Sequence, residues 1–486
     1  MRKRSLKGRA VIVCSFFLSY STVFAGQYIE PYLQYPTQDG MTILWWTNTS
    51  EPSSQVEYGI GNYSNTVSAT NEYISSMGLY KHEVRITGLS TETTYNYRTR
   101  SGSTVSNSYT FKTAINRSSN FRFALLGDGR TDNSAVVARH KNMIEMAGNR
   151  GSDFIIEAGD MVKYGTASHW ETLYRQIVTN TSGGSSYGSK IPYMTAVGNH
   201  EIYDGGYAGG NLTTSMARYK AFMANPDNGS SNSNWKERYY SFKYGVATFI
   251  VLDLNNTSDD SYDNHDYLND GDTPDWEPGS EQYNWMISQL QQAQDDSAFT
   301  FVIAHPSPYS RGVHGDPSDS QRGYELRALD SVWRQYGVDA VMTSHDHLVE
   351  HCLTGPDGFE EDMDVTDPDN LNYLVMGNSG RSSRDADSGW NTWMDITGND
   401  GAPYYTKYFY SWAGNDSLSS FWDINIVNEG DNKWRADFQI VRSDGSTFDS
   451  FSIERIDPVP EPTTIGLLIC ALGLLARVSH KNKLSF

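Results

Sequence analysis

Asp128, Asp160, Asn199, His305, His345 and His347 are the residues of this chain with the most chemistry in their spacing. They fall in five short clusters: Gly127-Asp128-Gly129, Gly159-Asp160, Gly198-Asn199-His200-Glu201, Ala304-His305-Pro306 and Ser344-His345-Asp346-His347. A lone Gly-Asp is a turn more often than a ligand, and a lone His-x-His is usually a pair of satisfied imidazoles. The ordered series carries more weight. Carboxylate and amide oxygens with imidazole nitrogens suit zinc, iron or manganese rather than calcium. Two such ions roughly 3.5–4 Å apart form a clamp for in-line displacement at phosphorus. Asp160 is the best bridging candidate, because its two oxygens can each hold one ion.

Positioning these residues falls to strands and helices that alternate beyond a polar linker at Ile115-Asn116-Arg117-Ser118-Ser119. The pattern predicts strands over Phe121–Gly127, Asp153–Gly159, Tyr193–Gly198, Phe299–Ala304 and Val338–Thr343, and a hairpin over Tyr239–Asp253. It predicts helices over Ser134–Gly148 (apolar at Val137, Ile144 and Met146), His169–Val178, from Ser280 (apolar at Trp285, Ile287 and Leu290) and over Tyr324–Tyr336. Four of the five clusters fall where a predicted strand ends, and ligands collect at the carboxyl ends of strands in layered α/β sheets. Several more strands are expected between Tyr373 and Ile456. Before the linker, residues 28–114 read as short alternating strands without helical period, a small β-sandwich.

The chain has 486 residues, a formal charge of −20 and a pI near 4.9. That excess of acid opposes nonspecific binding to nucleic acid or anionic lipid. A basic start (Arg2, Lys3, Arg4), an apolar run from Ala10 to Phe17 and small residues up to Ala25 describe an export signal over 1–25. Of the three cysteines, Cys14 and Cys470 lie in segments expected to be removed, which leaves Cys352 without an intrachain partner. The seven aspartates between Asp259 and Asp275 do not follow the EF-hand spacing and read as a solvated insertion.

The five clusters together resemble the signature of the calcineurin-like metallophosphoesterases, and specifically the purple acid phosphatase branch. Val56-Glu57-Tyr58-Gly59, Ile86-Thr87-Gly88-Leu89 and Tyr109-Thr110-Phe111-Lys112-Thr113 resemble the fibronectin type III-like domain that precedes such catalytic domains. Val459-Pro460-Glu461-Pro462, the apolar Ile465–Ala476 and the basic Arg477, Lys481 and Lys483 resemble a PEP-CTERM sorting signal. The resemblance therefore implies an all-β sandwich over 27–114, a four-layer αββα domain over 120–456 and a sorting segment over 458–486. That tail would imply transient inner-membrane anchoring, exosortase cleavage, and a place at the surface or outside of a Gram-negative bacterium.

For the site, the resemblance implies that Asp128, Asp160 and His347 hold a first metal and Asp160, Asn199, His305 and His345 a second. His200 would then donate a proton to the leaving oxygen or steady the phosphoryl group, with Glu201 orienting its ring, and His314 would face substrate. Two departures stand out. Lys163 occupies the position of the phenolate ligand that colours the purple enzymes, with Tyr164 one step later. Arg130 stands where the wider superfamily has a ligating His, and a guanidinium cannot ligate. No purple chromophore is expected, the first ion should be weaker or different, and the Arg130 fork suits phosphate oxygens. The expected activity is hydrolysis of phosphate monoesters by metal-activated hydroxide. The alternatives are a phosphodiesterase acting on nucleotides or phospholipids and an inactive surface or matrix binding protein. No nucleic acid is expected as a structural partner.

Overall fold

The computed structural model describes residues 27–51, 53–206, 211–255, 273–310, 312, 314, 323–355, 364–381, 394–397, 403–409 and 418–458. The expected export signal, most of the acidic insertion and the sorting segment from 459 onward lie outside the described residues. Among the described residues no helix is long and apolar enough to cross a membrane.

The amino-terminal strands pack as two sheets. One is ordered Gln27–Thr37, Gly40–Thr47, Leu79–Ile86, Glu72–Ile74; the other is ordered Asn65–Ser68, Ser54–Gly59, Thr94–Ser101, Thr104–Val105, with Tyr109–Lys112 also on Thr94–Ser101. Leu79–Ile86 alternates between core and surface as a half-buried strand should, whereas every residue of Gly40–Thr47 is buried. The reason is a second contact. Trp45 fills the sandwich core, and its neighbour Trp46 turns the other way, into a cluster shared with the next domain. There it stacks on Phe222 at 4.4 Å and donates from Nε1 to Tyr32 Oη, which donates to Phe222 O. Losing a buried Trp costs on the order of 3–5 kcal/mol. The sandwich is thus clamped to the domain that follows it.

That second domain has two facing sheets. The six-stranded sheet runs Tyr193–Thr195, Phe154–Glu157, Phe121–Leu126, Ser420–Gly430, Lys433–Arg442, Thr447–Ile456. The eight-stranded sheet runs Tyr240–Tyr244, Ala247–Val251, Phe299–Ile303, Ala340–Thr343, Leu371–Met376, Val349–Thr354, Pro403–Phe409, Met394–Thr397. Phe123, Phe154, Phe249, Phe301 and Phe438 form the core between them. Ser134–Asn149, Ala167–Thr172 and Leu212–Phe222 cover the outer face of the first sheet, and Glu281–Asp296 and Asp330–Gln335 that of the second. Helix, sheet, sheet and helix make four layers. Phe121–Leu126, Phe154–Glu157 and Tyr193–Thr195 are parallel, as are Ala247–Val251, Phe299–Ile303, Ala340–Thr343 and Leu371–Met376. Their carboxyl ends deliver the clusters to one edge.

Several expectations shift in detail. Ser134–Asn149 buries Val136, His140, Met143, Ile144 and Ala147, leaving Val137 and Met146 only partly covered. His140 is the cause: a buried polar residue on the inner stripe displaces the apolar phase. The helix expected over His169–Val178 starts at Ala167 and loosens into a π-helical turn at Leu173–Val178. The one expected over Tyr324–Tyr336 splits into a 3-10 segment, Gly323–Leu329, and a short α-helix, Asp330–Gln335. Of the strands expected between Tyr373 and Ile456, Ser420–Gly430, Lys433–Arg442 and Thr447–Ile456 extend the first sheet, while Leu371–Met376, Met394–Thr397 and Pro403–Phe409 join the second.

Candidate metal centre

Three of the five clusters, around Asp128, Asp160 and His345, sit in tight loops with unusual backbone. Asp128, Arg130, Asp160 and His345 all have left-handed φ, at +51°, +55°, +56° and +69°. Such conformations cost a non-glycine residue roughly 1–2 kcal/mol each, so surrounding contacts must hold them. The Asp128 and Arg130 amides donate to Gly159 O and Asp160 O, lacing the first loop to the second. Gly129 is required by close approach: a Cβ there would lie 2.1 Å from His140 Cε1 and 2.3 Å from Glu157 Oε1. Gly159 combines φ +85° with a built Cβ 2.8 Å from the Gly198 backbone and His305 Nδ1.

Glu201 holds the second loop. Fully buried, it accepts backbone N–H bonds from Asp160 (2.8 Å), Val162 (3.1 Å) and Gly198 (2.8 Å). Burial and the charge of Asp160 raise its pKa, and the three amides oppose that shift. The expectation that Glu201 orients His200 is therefore corrected. Adjacent residues on a helix diverge by about 100°, so the two side chains of this Asn199–Ile202 turn face different groups.

The ligating atoms converge on His305. Its Nδ1 faces Ala158 O at 2.8 Å and Ser344 Oγ at 2.9 Å, and Ser344 Oγ itself donates to Ala158 O. A carbonyl can only accept, so Nδ1 carries a hydrogen, and in the neutral ring Nε2 is the nitrogen with a lone pair for an ion. Against that lone pair stand Asn199 Oδ1 at 3.0 Å, His345 Nδ1 at 3.0 Å and Asp160 Oδ1 at 3.2 Å. Asn199 spends its amide nitrogen on Tyr203 Oη (3.0 Å), which leaves its oxygen inward. With both rings neutral and their facing nitrogens unprotonated, ligand atoms packed this closely call for a cation among them. Ligand atoms about 2.0–2.1 Å from one ion lie roughly 3 Å apart, the spacing found here. The donor set fits a transition ion.

On the other side of Asp160, His347 Nε2 lies 3.2 Å from Asp128 Oδ1, and Asp128 Oδ2 accepts the His345 amide at 2.7 Å. Asp128 Oδ1 is buried and accepts no hydrogen bond, as an oxygen reserved for an ion would be. Carboxylate and imidazole atoms of Asp128, Asp160 and His305 lie within 4.8 Å of one another. Two ions fit this arrangement.

Around the ligands, Arg130 is buried and donates from Nε and Nη2 to the two oxygens of Asp132 at 3.0 and 3.1 Å. Its phosphate-sized fork is thus filled by a carboxylate. Nη1 points instead to His200 Nε2 at 2.7 Å and lies 3.6 Å from Asp160 Oδ2. His200 Nδ1 faces Lys163 O at 2.6 Å. Burial, helped by Arg130 and opposed by Asp160, pushes the His200 pKa down to about 3. His314 donates its amide to Asp346 Oδ1 and stacks its ring on His345 at 3.9 Å. Tyr164 is half-buried, with its ring edge-on to His169 at 5.7 Å and 6.4 Å from His200.

Three participants escaped sequence reasoning. Tyr203 follows Asn199 by four residues, an i, i+4 relation that could have flagged it. Asp132 follows Arg130 by two. Arg381, which reaches Asp132 at 3.3 Å from the loop after Leu371–Met376, left no local signal.

Comparison with known proteins agrees with this architecture. Residues 28–113 match the purple acid phosphatase N-terminal domain and residues 122–349 the calcineurin-like phosphoesterase domain. Acid phosphatase type 7 of Danio rerio is 24% identical over 346 residues, covering 66% of this chain and 70% of that one. A probable purple acid phosphatase 20 of Arabidopsis thaliana is 24% identical over 322 residues, covering 64% and 66%. Among solved structures, a purple acid phosphatase from yellow lupin (Lupinus luteus) seeds superposes with a TM-score of 0.66 over 88% of this chain and 74% of that one. At 19% identity that likeness speaks for the fold.

Proposed function

We propose that this metal-dependent phosphoric ester hydrolase, which joins a purple acid phosphatase N-terminal domain to a calcineurin-like phosphoesterase domain, acts on phosphate monoesters outside the cytoplasm. The observation that carries the reading is the convergence on His305 Nε2 of Asn199 Oδ1 at 3.0 Å and Asp160 Oδ1 at 3.2 Å. Asp128, Asp160 and His347 are assigned to a first ion, and Asp160, Asn199, His305 and His345 to a second, each iron, zinc or manganese. When bound, such a pair supplies an acidified water as nucleophile and neutralises charge on the attacking and leaving oxygens.

The protein's own groups do the rest. The laced loops fix Asp160 between the two halves, so the ester is held rather than steered. Arg130, His200 and His314 surround the phosphoryl group, and the buried guanidinium adds a cation that suits a doubly charged monoester better than a singly charged diester. Export rests on the residues of 1–25, and surface sorting with transient membrane anchoring on those of 458–486. The test is metal analysis of the purified protein with hydrolysis of aryl phosphate mono- and diesters, alongside cell fractionation. Turnover of the monoester with two ions per chain is expected. Diester preference would overturn the substrate class, and a metal-free, inert protein the whole reading.

A further inference from the structure

We infer that Glu157 and His140, a buried pair outside the ligand set, act as positioning residues for the first ion: Glu157 fixes the loop that carries Asp128, and His140 fixes Glu157. The inference rests on the two-ion phosphoesterase reading and deepens it at one half of the centre.

Glu157 ends the strand Phe154–Glu157, and alternation decides which way its side chain goes. Phe154 and Ile156 join the core between the sheets, and Ile155 joins the cluster under the helices. Glu157 shares the face of Ile155. There it meets His140 of Ser134–Asn149, whose Nε2 lies 2.9 Å from Oε2. Tyr193 Oη, on the neighbouring strand, is 3.4 Å from the same nitrogen. Both members of the pair are wholly buried. Such pairs are poor stabilisers of a fold, since well-packed apolar side chains often do as well or better. The other carboxylate oxygen shows a different use: Oε1 accepts the Gly129 amide at 3.2 Å.

That bond completes a row. The Asp128, Gly129 and Arg130 amides donate in turn to Gly159 O at 3.2 Å, to Glu157 Oε1 and to Asp160 O at 3.0 Å. Two of these acceptors are main-chain oxygens, and the middle one is a side chain. The residues on either side of Gly129 have left-handed torsions, a strain that persists only where contacts enforce it. Gly129 itself is pinched. A Cβ on it would overlap His140 and Glu157, and a Cβ on Gly380 would overlap Gly129 O. One residue away, Asp128 keeps Oδ1 buried without a hydrogen bond. Loosening Gly129 therefore moves a ligand of the first ion and leaves His305 and Asn199, on other loops, in place.

Calorimetric titration of zinc into metal-free protein tests this, with the step missing in H347A marking the first ion. E157L, which removes the acceptor, should weaken the first ion about 10–100-fold, the range for a group behind a ligand. The second ion should bind as before. In metal-free E157L, hydrogen exchange over residues 127–130 should quicken. E157Q should restore most of both signals, because its amide oxygen can accept from Gly129 while its N–H meets His140, whose ring can take either tautomer. H140L should weaken the first ion in the same sense by less. M143A opens a cavity under the same helix and should lower the denaturant midpoint without changing either ion's affinity. Equal weakening of both ions in E157L, a first ion as weak in M143A, or unchanged zinc binding and exchange in E157L would overturn the assignment. If E157L does not fold, H140L decides between the same outcomes. A wild type that takes up no zinc would instead refute the proposed function.

Discussion

The two halves of the centre solve the same problem with opposite means. Around His305 the chain gathers Asn199 Oδ1, His345 Nδ1 and Asp160 Oδ1 within 3.2 Å of Nε2. Around Asp128 it has fewer donors, and Arg130 already brings positive charge within 3.6 Å of the shared carboxylate. A site with more ligand atoms should hold a cation tightly, and one beside a guanidinium should hold it loosely. Asymmetry is built into the side chains.

The most severe way to break that comparison is to remove what the halves share. D160N should lower phosphoesterase activity by about 10³-fold, the upper range for a central electrostatic contact, and metal analysis should find both ions depleted. H305A should release one ion and cost about 10²-fold, whereas H347A should deplete the other ion and leave the His305 side filled. Loop support comes next. E201Q puts an amide NH2 in place of one of the two oxygens that accept three buried backbone bonds and should cost about 2 kcal/mol of stability, read as a lower denaturant midpoint with unchanged slope. A chelator should then strip the Asp128 side first, with affinities separated by about tenfold or more, and ion release in a single step would refute the asymmetry. The smallest signal is colour. Iron-loaded protein should show no visible charge-transfer band, because Lys163 stands where the phenolate would be.

What the sequence disclosed follows from how far each signal reaches. The clusters were legible because strand-end loops are local: each needs a strand, a small residue and a polar side chain in a row. The sandwich was legible for the same reason, as alternation in Leu79–Ile86 is written in consecutive residues. Its attachment was not, since nothing beside Trp46 reveals Phe222, 176 positions later, as its partner. Val137 and Met146 sit at the margin of the helix's inner stripe, where His140, a polar type, is buried against Glu157 at 2.9 Å. Glu201 was misassigned for want of a single rotation along one short helix. Arg381 could be placed beside Asp132 only by the third dimension.

The left-handed backbone at Asp128, Arg130, Asp160 and His345 has an implication for engineering. Glycine or asparagine would rest more comfortably at each of these positions, so natural side chains there are kept against the grain of the scaffold. A library selected for heat resistance alone should drift towards such replacements and yield sturdier but inert molecules. Hardening this enzyme calls for changes elsewhere, with those four torsions left under tension.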